Sequence, residues 1–140
     1  MSEPGFTCVT DIRVRYAETD GMRVVYHGNY LTYFEQARTE MLRAMGLPYA
    51  AIEAMGIFVV VVEAHVHYRR PAAYDDRLQV RASVRERPTN RIRIEYAVTR
   101  GDDPAVLVDG YTMHAFLDAR TGRPVRPPKE FETIMQSFFP

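Results

Sequence analysis

Tyr16-Ala17-Glu18-Thr19-Asp20-Gly21-Met22-Arg23-Val24-Val25-Tyr26-His27-Gly28-Asn29-Tyr30 sets the Asp20 carboxylate in a loop shortly before an apolar helix. Upstream, Val9 to Tyr16 alternates apolar and polar residues as a half-buried strand does, with Val14 and Tyr16 in phase and Arg13 and Arg15 opposite. Gly21, Gly28 and Asn29 punctuate the loop. From Tyr30 the spacing turns helical through Leu31, Phe34, Arg38, Met41, Leu42 and Met45, with Asn29 as the expected N-cap. The first turn of such a helix presents unpaired N–H groups and the positive end of its dipole to whatever precedes it. A carboxylate beside fixed N–H donors is what acyl transfer requires. One attacks or activates water, and the others receive the charge that develops on a carbonyl oxygen.

Downstream of the helix, Gly46-Leu47-Pro48 is a stop signal, and 50–55 suits a short helical turn. The rest reads as antiparallel sheet. Ile57 to Arg70 is a long apolar run; Leu78 to Arg87 and Ile92 to Val98 alternate around the turn Pro88-Thr89-Asn90. Gly101 to Pro104 forms the next turn, Ala105 to Leu117 the last strand, and Glu130 to Phe138 an amphipathic tail. One strand, a long helix and four strands in a meander bury their apolar faces most simply if the sheet wraps the helix. About eighteen helical residues at a rise of about 1.5 Å match the length of an eight-residue strand.

Composition bounds the function classes. At 140 residues and 46% hydrophobic, the chain is expected to form a single domain over 1–140, with surface left over for self-association. Eighteen basic and eighteen acidic residues balance, which argues against nucleic acid or an anionic membrane as the main partner. Met1 to Phe6 lacks a basic region followed by an apolar run, and no stretch reaches the length of a membrane span, so a cytoplasmic location is expected. Cys8 is the sole cysteine; it forms no intrachain disulfide and suits a buried thiol in a strand.

Several separated motifs carry a family resemblance. Asp20 with its spacer, Tyr26-His27-Gly28-Asn29-Tyr30-Leu31, Phe34-Glu35-Gln36-Ala37-Arg38, Tyr68-Arg69-Arg70-Pro71-Ala72 and Tyr74-Asp75-Asp76-Arg77-Leu78 resemble the signature of hot-dog-fold acyl-CoA thioesterases of the 4-hydroxybenzoyl-CoA thioesterase type. The run Ala37 to Leu42 is most similar to the bacterial branch associated with the Tol-Pal envelope system. The resemblance implies an α+β hot-dog fold, a long helix wrapped by a five-stranded, mainly antiparallel sheet. It implies hydrolysis of acyl-CoA or an acyl-carrier protein without a cofactor, in homodimers or homotetramers. Asp20 would be nucleophile or general base. The N–H groups around His27 and Gly28 would form the oxyanion hole, with the His27 imidazole polarising the carbonyl or orienting water. Tyr16 would pack beneath the site or donate its hydroxyl, and Arg87, Thr89, Asn90 and Arg91 would bind the coenzyme A nucleotide across a subunit interface.

Two positions depart from the signature. Glu18 stands where an aspartate is usual, and Arg23 where a glycine is usual. Glu35 and Arg38, at i and i+3, are expected to pair as a structural ion pair, and Glu63 to face either the site or solvent. Two other function classes compete. His65 and His67 on one strand face, with His114 on another strand, have spacing that zinc can use, but alternate polar residues on an outer sheet face, solvated or at a subunit contact, are the better explanation, and no metal is expected. A non-catalytic acyl-CoA binding module or a hot-dog hydratase would share the fold; turnover and product identity separate these from a hydrolase.

Overall fold

The computed structural model describes residues 4–140, so part of the N-terminal stretch read above for a leader lies outside the described residues. The elements are β1 (Phe6–Arg13), a 3-10 turn (Tyr16–Glu18), α1 (Asn29–Ala44), α2 (Tyr49–Ala54), β2 (Ile57–Tyr68), β3 (Arg77–Val84), β4 (Arg91–Arg100), β5 (Asp103–Asp118) and α3 (Lys129–Phe138). The five strands form one antiparallel sheet in the order β1-β3-β4-β5-β2, with α1 packed against it. This is the expected hot-dog architecture.

Two expectations about the sheet are corrected. The first strand ends at Arg13, and Tyr16 belongs to the 3-10 turn, because Val14 leaves the ladder to exchange backbone bonds with Asp75 and Asp76. The last four strands are not a meander, since β2 pairs with β5 rather than with β3. Consequently β2 is an edge strand, and its alternation is interrupted by a bulge between Val61 and Glu63. Phe58, Val61, Val62 and Tyr68 are exposed along it. An apolar open edge of twelve residues is a template for pairing with another chain.

The core lies between α1 and the inner sheet face. Phe34, Ala37 and Met41 are fully buried at i, i+3 and i+7, opposite Leu78, Val80, Ala82 and Val98. Phe34 stacks flat on Tyr96 at 4.1 Å. On the flank of α1, the expected Glu35–Arg38 pair does not form among the described residues: Glu35 is exposed, whereas half-buried Arg38 turns inward to the Tyr96 hydroxyl. Cys8 is only half-buried, packed against the core from β1. No helix among the described residues is long and apolar enough to cross a membrane.

Candidate active site

The Asp20 loop is held by backbone bonds at both ends. Asp20 N–H donates to the Val24 carbonyl at 2.9 Å, Arg23 N–H donates to the Asp20 carbonyl at 2.9 Å, and Val25 N–H donates to Ala72 at 2.8 Å. Within that turn, Met22 N–H donates to Asp20 Oδ1 at 2.8 Å. The other carboxylate oxygen, Oδ2, has no donor among the described residues. Asp20 is therefore fixed through one oxygen and free to react through the other.

Arg23 has φ +67°, a left-handed conformation that glycine adopts without strain. This explains why the resembling signature carries glycine there, and why Arg23 is the costlier residue. Its side chain has no hydrogen-bond or ion-pair partner among the described residues to offset the strain. Arg23→Gly is expected to stabilise the fold by up to about 1 kcal/mol, the relief at φ > 0 exceeding glycine's unfolded-state entropy. A urea midpoint unchanged or lowered in the variant would contradict this.

The start of α1 faces the same loop. Gly28, rather than Asn29, is the N-cap; Asn29 is the first helical residue, and its Nδ2 donates to the Glu18 carbonyl at 2.8 Å instead of capping. The N–H groups of Asn29, Tyr30 and Leu31 donate to the carbonyls of Tyr26, His27 and Gly28. Those of His27 and Gly28 have no acceptor among the described residues. The two free donors thus lie at the positive end of a sixteen-residue helix whose first turn carries no acidic residue. A Cβ at Gly28 would come within 2.9 Å of the Tyr26 ring, so the close approach here requires glycine unless Tyr26 moves. Asp20, His27, Tyr30 and Tyr68 line one open cleft of about 280 Å³.

Two further residues organise this cleft and were not singled out as site residues from sequence. Glu18 has a side chain 12% exposed. Its Oε1 accepts from Arg15 N–H at 2.8 Å and from the Tyr33 hydroxyl at 3.0 Å. Its carbonyl accepts from Tyr26 N–H and Asn29 Nδ2. Burial, then the Glu18 bond, pushes the Tyr33 phenol far above its ordinary pKa, so it stays a donor. Tyr68, the last residue of β2, donates its hydroxyl to the His27 carbonyl at 3.0 Å and stands edge-on to the His27 and Tyr30 rings. Since one neutral hydrogen bond is worth about 0.5–1.5 kcal/mol, Tyr68→Phe is expected to lower kcat up to about tenfold through a loosened His27–Gly28 turn. An unchanged kcat with unchanged KM would show that the turn does not need it.

The remaining predicted residues fall elsewhere. Tyr16 is 78% exposed, stands edge-on to Tyr74 and does not line the cleft. Arg87, Thr89 and Asn90 line a separate recess against α3 and Arg126, with Arg87 Nη1 donating to the Phe139 carbonyl at 3.1 Å; Arg91 starts β4 beside them. The eight residues of β3, Arg77–Val84, span about 26 Å before the chain reaches Arg87, and the Asp20 loop is tied to the Arg77 end of β3. The two sets do not meet within one chain. His65 stacks on Tyr111 and His67 approaches Asp109, both outside the sheet, whereas His114 is buried inside it, so the three imidazoles do not converge. Glu63 accepts from Tyr111 on that outer face, away from Asp20.

Comparison with known proteins gives the family and the fold. Residues 14–135 match the family model described as the thioesterase-like superfamily. The chain is 34% identical over 131 residues to the acyl-CoA thioesterase YbgC of Haemophilus influenzae, covering 93% of each. It superposes on a DHNA-CoA thioesterase from Staphylococcus aureus with TM-score 0.88 at 29% identity, covering 94% of this chain and 89% of that one. The Thermus thermophilus protein TT1821 gives TM-score 0.86 at 36% identity, covering 93% and 98%.

Proposed function

Because the chain belongs to the thioesterase-like superfamily, we propose that it hydrolyses acyl-CoA to a carboxylic acid and free coenzyme A, with Asp20 acting on the thioester carbonyl. The observation that carries this reading is that one cleft is lined by Asp20, a carboxylate with one uncommitted oxygen, and by His27, whose N–H, like that of the next residue Gly28, is uncommitted at a helix start. The thioester oxygen accepts from the His27 and Gly28 N–H groups, which stabilise the charge it gains as the carbonyl carbon becomes tetrahedral. Asp20 Oδ2 either attacks that carbon, expelling the thiolate and leaving a mixed anhydride that water opens, or takes a proton from the water that attacks. Either route ends in one carboxylic acid and one thiol, with water consumed. Every step uses the chain's own groups and water.

The same proposal includes an assembly. Antiparallel pairing of two β2 edges would set the Ile57 end of one copy beside the Tyr68 end of the other. The turn bearing Thr89 and Asn90 lies at the Ile57 end, so a second copy would carry Arg87, Thr89, Asn90 and Arg91 toward the Asp20 cleft, where they would hold the phosphates of coenzyme A. A monomer in sedimentation equilibrium, active as such, would remove this part. The finer placement, with the 4-hydroxybenzoyl-CoA type and its Tol-Pal-associated branch, rests on the motifs at Asp20–Leu31 and Ala37–Leu42.

The proposal is tested by following free thiol released from short-chain, long-chain and aromatic acyl-CoAs and from an acyl-carrier protein. Saturable release from a coenzyme A ester is expected. Binding without release would support a non-catalytic module instead.

A further inference from the structure

The Asp20 cleft holds a charged group that the proposed reaction does not use. Among the residues that line it, Asp20 is the sole carboxylate, and Arg69 and Arg70 are the cations. Arg69 Nε donates to Asp109 Oδ2 at 3.1 Å, which compensates its charge. Arg70 is exposed, and its guanidinium has no hydrogen bond or ion pair among the described residues, with Asp20 or with any other carboxylate. The phenols of the cleft are committed: Tyr68 donates to the His27 carbonyl, and the Tyr30 hydroxyl bonds the Ala72 backbone. Arginine stays charged at any working pH, so the cleft presents a permanent, accessible and unpaired cation alongside Asp20.

The backbone fixes where that cation starts. The N–H groups of Arg69 and Arg70 both donate to the Leu107 carbonyl, at 2.8 and 2.9 Å, and Arg100 Nη1 donates to the Pro71 carbonyl at 3.4 Å. Arg70 stands two residues after Tyr68, which holds the His27 turn, and two before Ala72, whose carbonyl accepts from Val25 N–H at the end of the Asp20 loop. Two residues of chain span at most about 7 Å, so the Arg70 side chain leaves the backbone from a fixed point between these two anchors of the site.

We propose that Arg70 is a specificity residue that receives a carboxylate carried at the far end of the acyl group, so that the preferred substrates are coenzyme A esters of short dicarboxylic acids. The inference rests on the proposed hydrolysis at Asp20. Two arms leave the thioester carbon. On the thiol arm the pantetheine amides are neutral, and the phosphates lie beyond the whole pantetheine length, at the recess of Arg87, Thr89 and Asn90 in the proposed assembly. An anion that meets Arg70 while the carbonyl sits at Asp20 therefore belongs to the acyl arm. Such a substrate needs a cation here, because its carboxylate enters a cleft that already holds Asp20 and is repelled by it. The guanidinium offsets that repulsion and grips both carboxylate oxygens through its paired donors. Met22, Val24 and Pro71 line the same cleft and supply hydrocarbon for the intervening methylenes. Its volume of about 280 Å³ is under twice the roughly 150 Å³ that holds benzene, which suits a chain of a few carbons.

Adipyl-CoA and hexanoyl-CoA are the probes, since they share a carbon count and differ only in ending on a carboxylate or a methyl group. Free thiol release gives kcat/KM for each ester with the full-length wild type, Arg70→Met and Arg70→Lys. The wild type is expected to favour adipyl-CoA, the ratio of the two values to fall at least tenfold in Arg70→Met, and Arg70→Lys to recover part of it. An arginine with a merely structural role would move both esters together and leave the ratio unchanged. A wild-type preference for hexanoyl-CoA, or a ratio unchanged in Arg70→Met, would overturn the assignment and leave hydrolysis at Asp20 intact. Loss of the oligomer in Arg70→Met at an unchanged ratio would overturn it too, by assigning the guanidinium to a subunit contact. Release from neither ester would instead sink the hydrolysis reading. The ratio is then taken from the Kd values of the same esters and variants by calorimetry, with the same expected and contrary results.

Discussion

Asp20→Asn is expected to lower kcat for thioester hydrolysis by about 10²- to 10⁴-fold while leaving the fold and its stability nearly unchanged. The asparagine carbonyl oxygen can still accept the Met22 N–H that Oδ1 now accepts, and the backbone bonds to Val24 and Arg23 do not involve the side chain. The loop thus keeps its shape. What is lost is the negative charge and basicity of Oδ2, whether that oxygen attacks carbon or takes a proton from water. The competing account, in which Asp20 merely caps a turn, predicts the opposite result, since asparagine serves that purpose equally well. Full activity in the variant would establish the turn-capping account.

Acid should destabilise the protein through His114 more than through an ordinary histidine. Its pKa is lowered from 6.5 to about 4, first by burial and then by the Arg38 charge. Between these values the unfolded chain binds a proton that the folded chain refuses, so ν_U exceeds ν_N and unfolding free energy falls as pH falls. The contribution is fully present above pH 6.5 and is lost progressively down to about pH 4, where the loss amounts to about 3 kcal/mol. Carboxylates add their own slope, so the measurement is a difference. Urea unfolding at pH 7 and pH 4.5 should show a smaller loss in His114→Phe than in wild type, by about 2 kcal/mol, allowing for residual protonation of the native ring. Equal losses would mean that His114 titrates normally in the fold.

The fold was legible where apolar period and chain breaks coincide. Phe34, Met41 and Leu42 announce the buried stripe of α1, although Leu31 of the same pattern is exposed, and Pro88 to Asn90 and Gly101 mark the hairpin ends. The position of β2 was not legible, because its near-continuous apolar run Ile57 to Val62 fits a central strand as well as an unpaired edge. Only pairing with β5 distinguishes them. The Asp20 loop could be read as a site from a carboxylate before a helix start, but the roles of Glu18 and Tyr68 could not. Glu18 works through its distance to Tyr33, fifteen residues on, and Tyr68 reaches His27 across forty-one residues. Arg38 misled for a related reason: local i, i+3 spacing suggests Glu35, whereas the buried Tyr96 hydroxyl lies fifty-eight positions away in sequence. The residues proposed to hold the nucleotide, Arg87, Thr89, Asn90 and Arg91, lie at or beside a recess apart from Asp20 in one chain, so no reading of a single chain joins them.

The most direct test of the central claim is hydrolysis of a saturated acyl-CoA in ¹⁸O-labelled water, with the products weighed by mass spectrometry. Free coenzyme A is expected, with an equal amount of carboxylic acid carrying label from water in its new C–O bond. Substrate recovered intact after prolonged incubation with folded protein would contradict it, as would an enoyl-CoA substrate that gains the mass of water while its thioester stays closed.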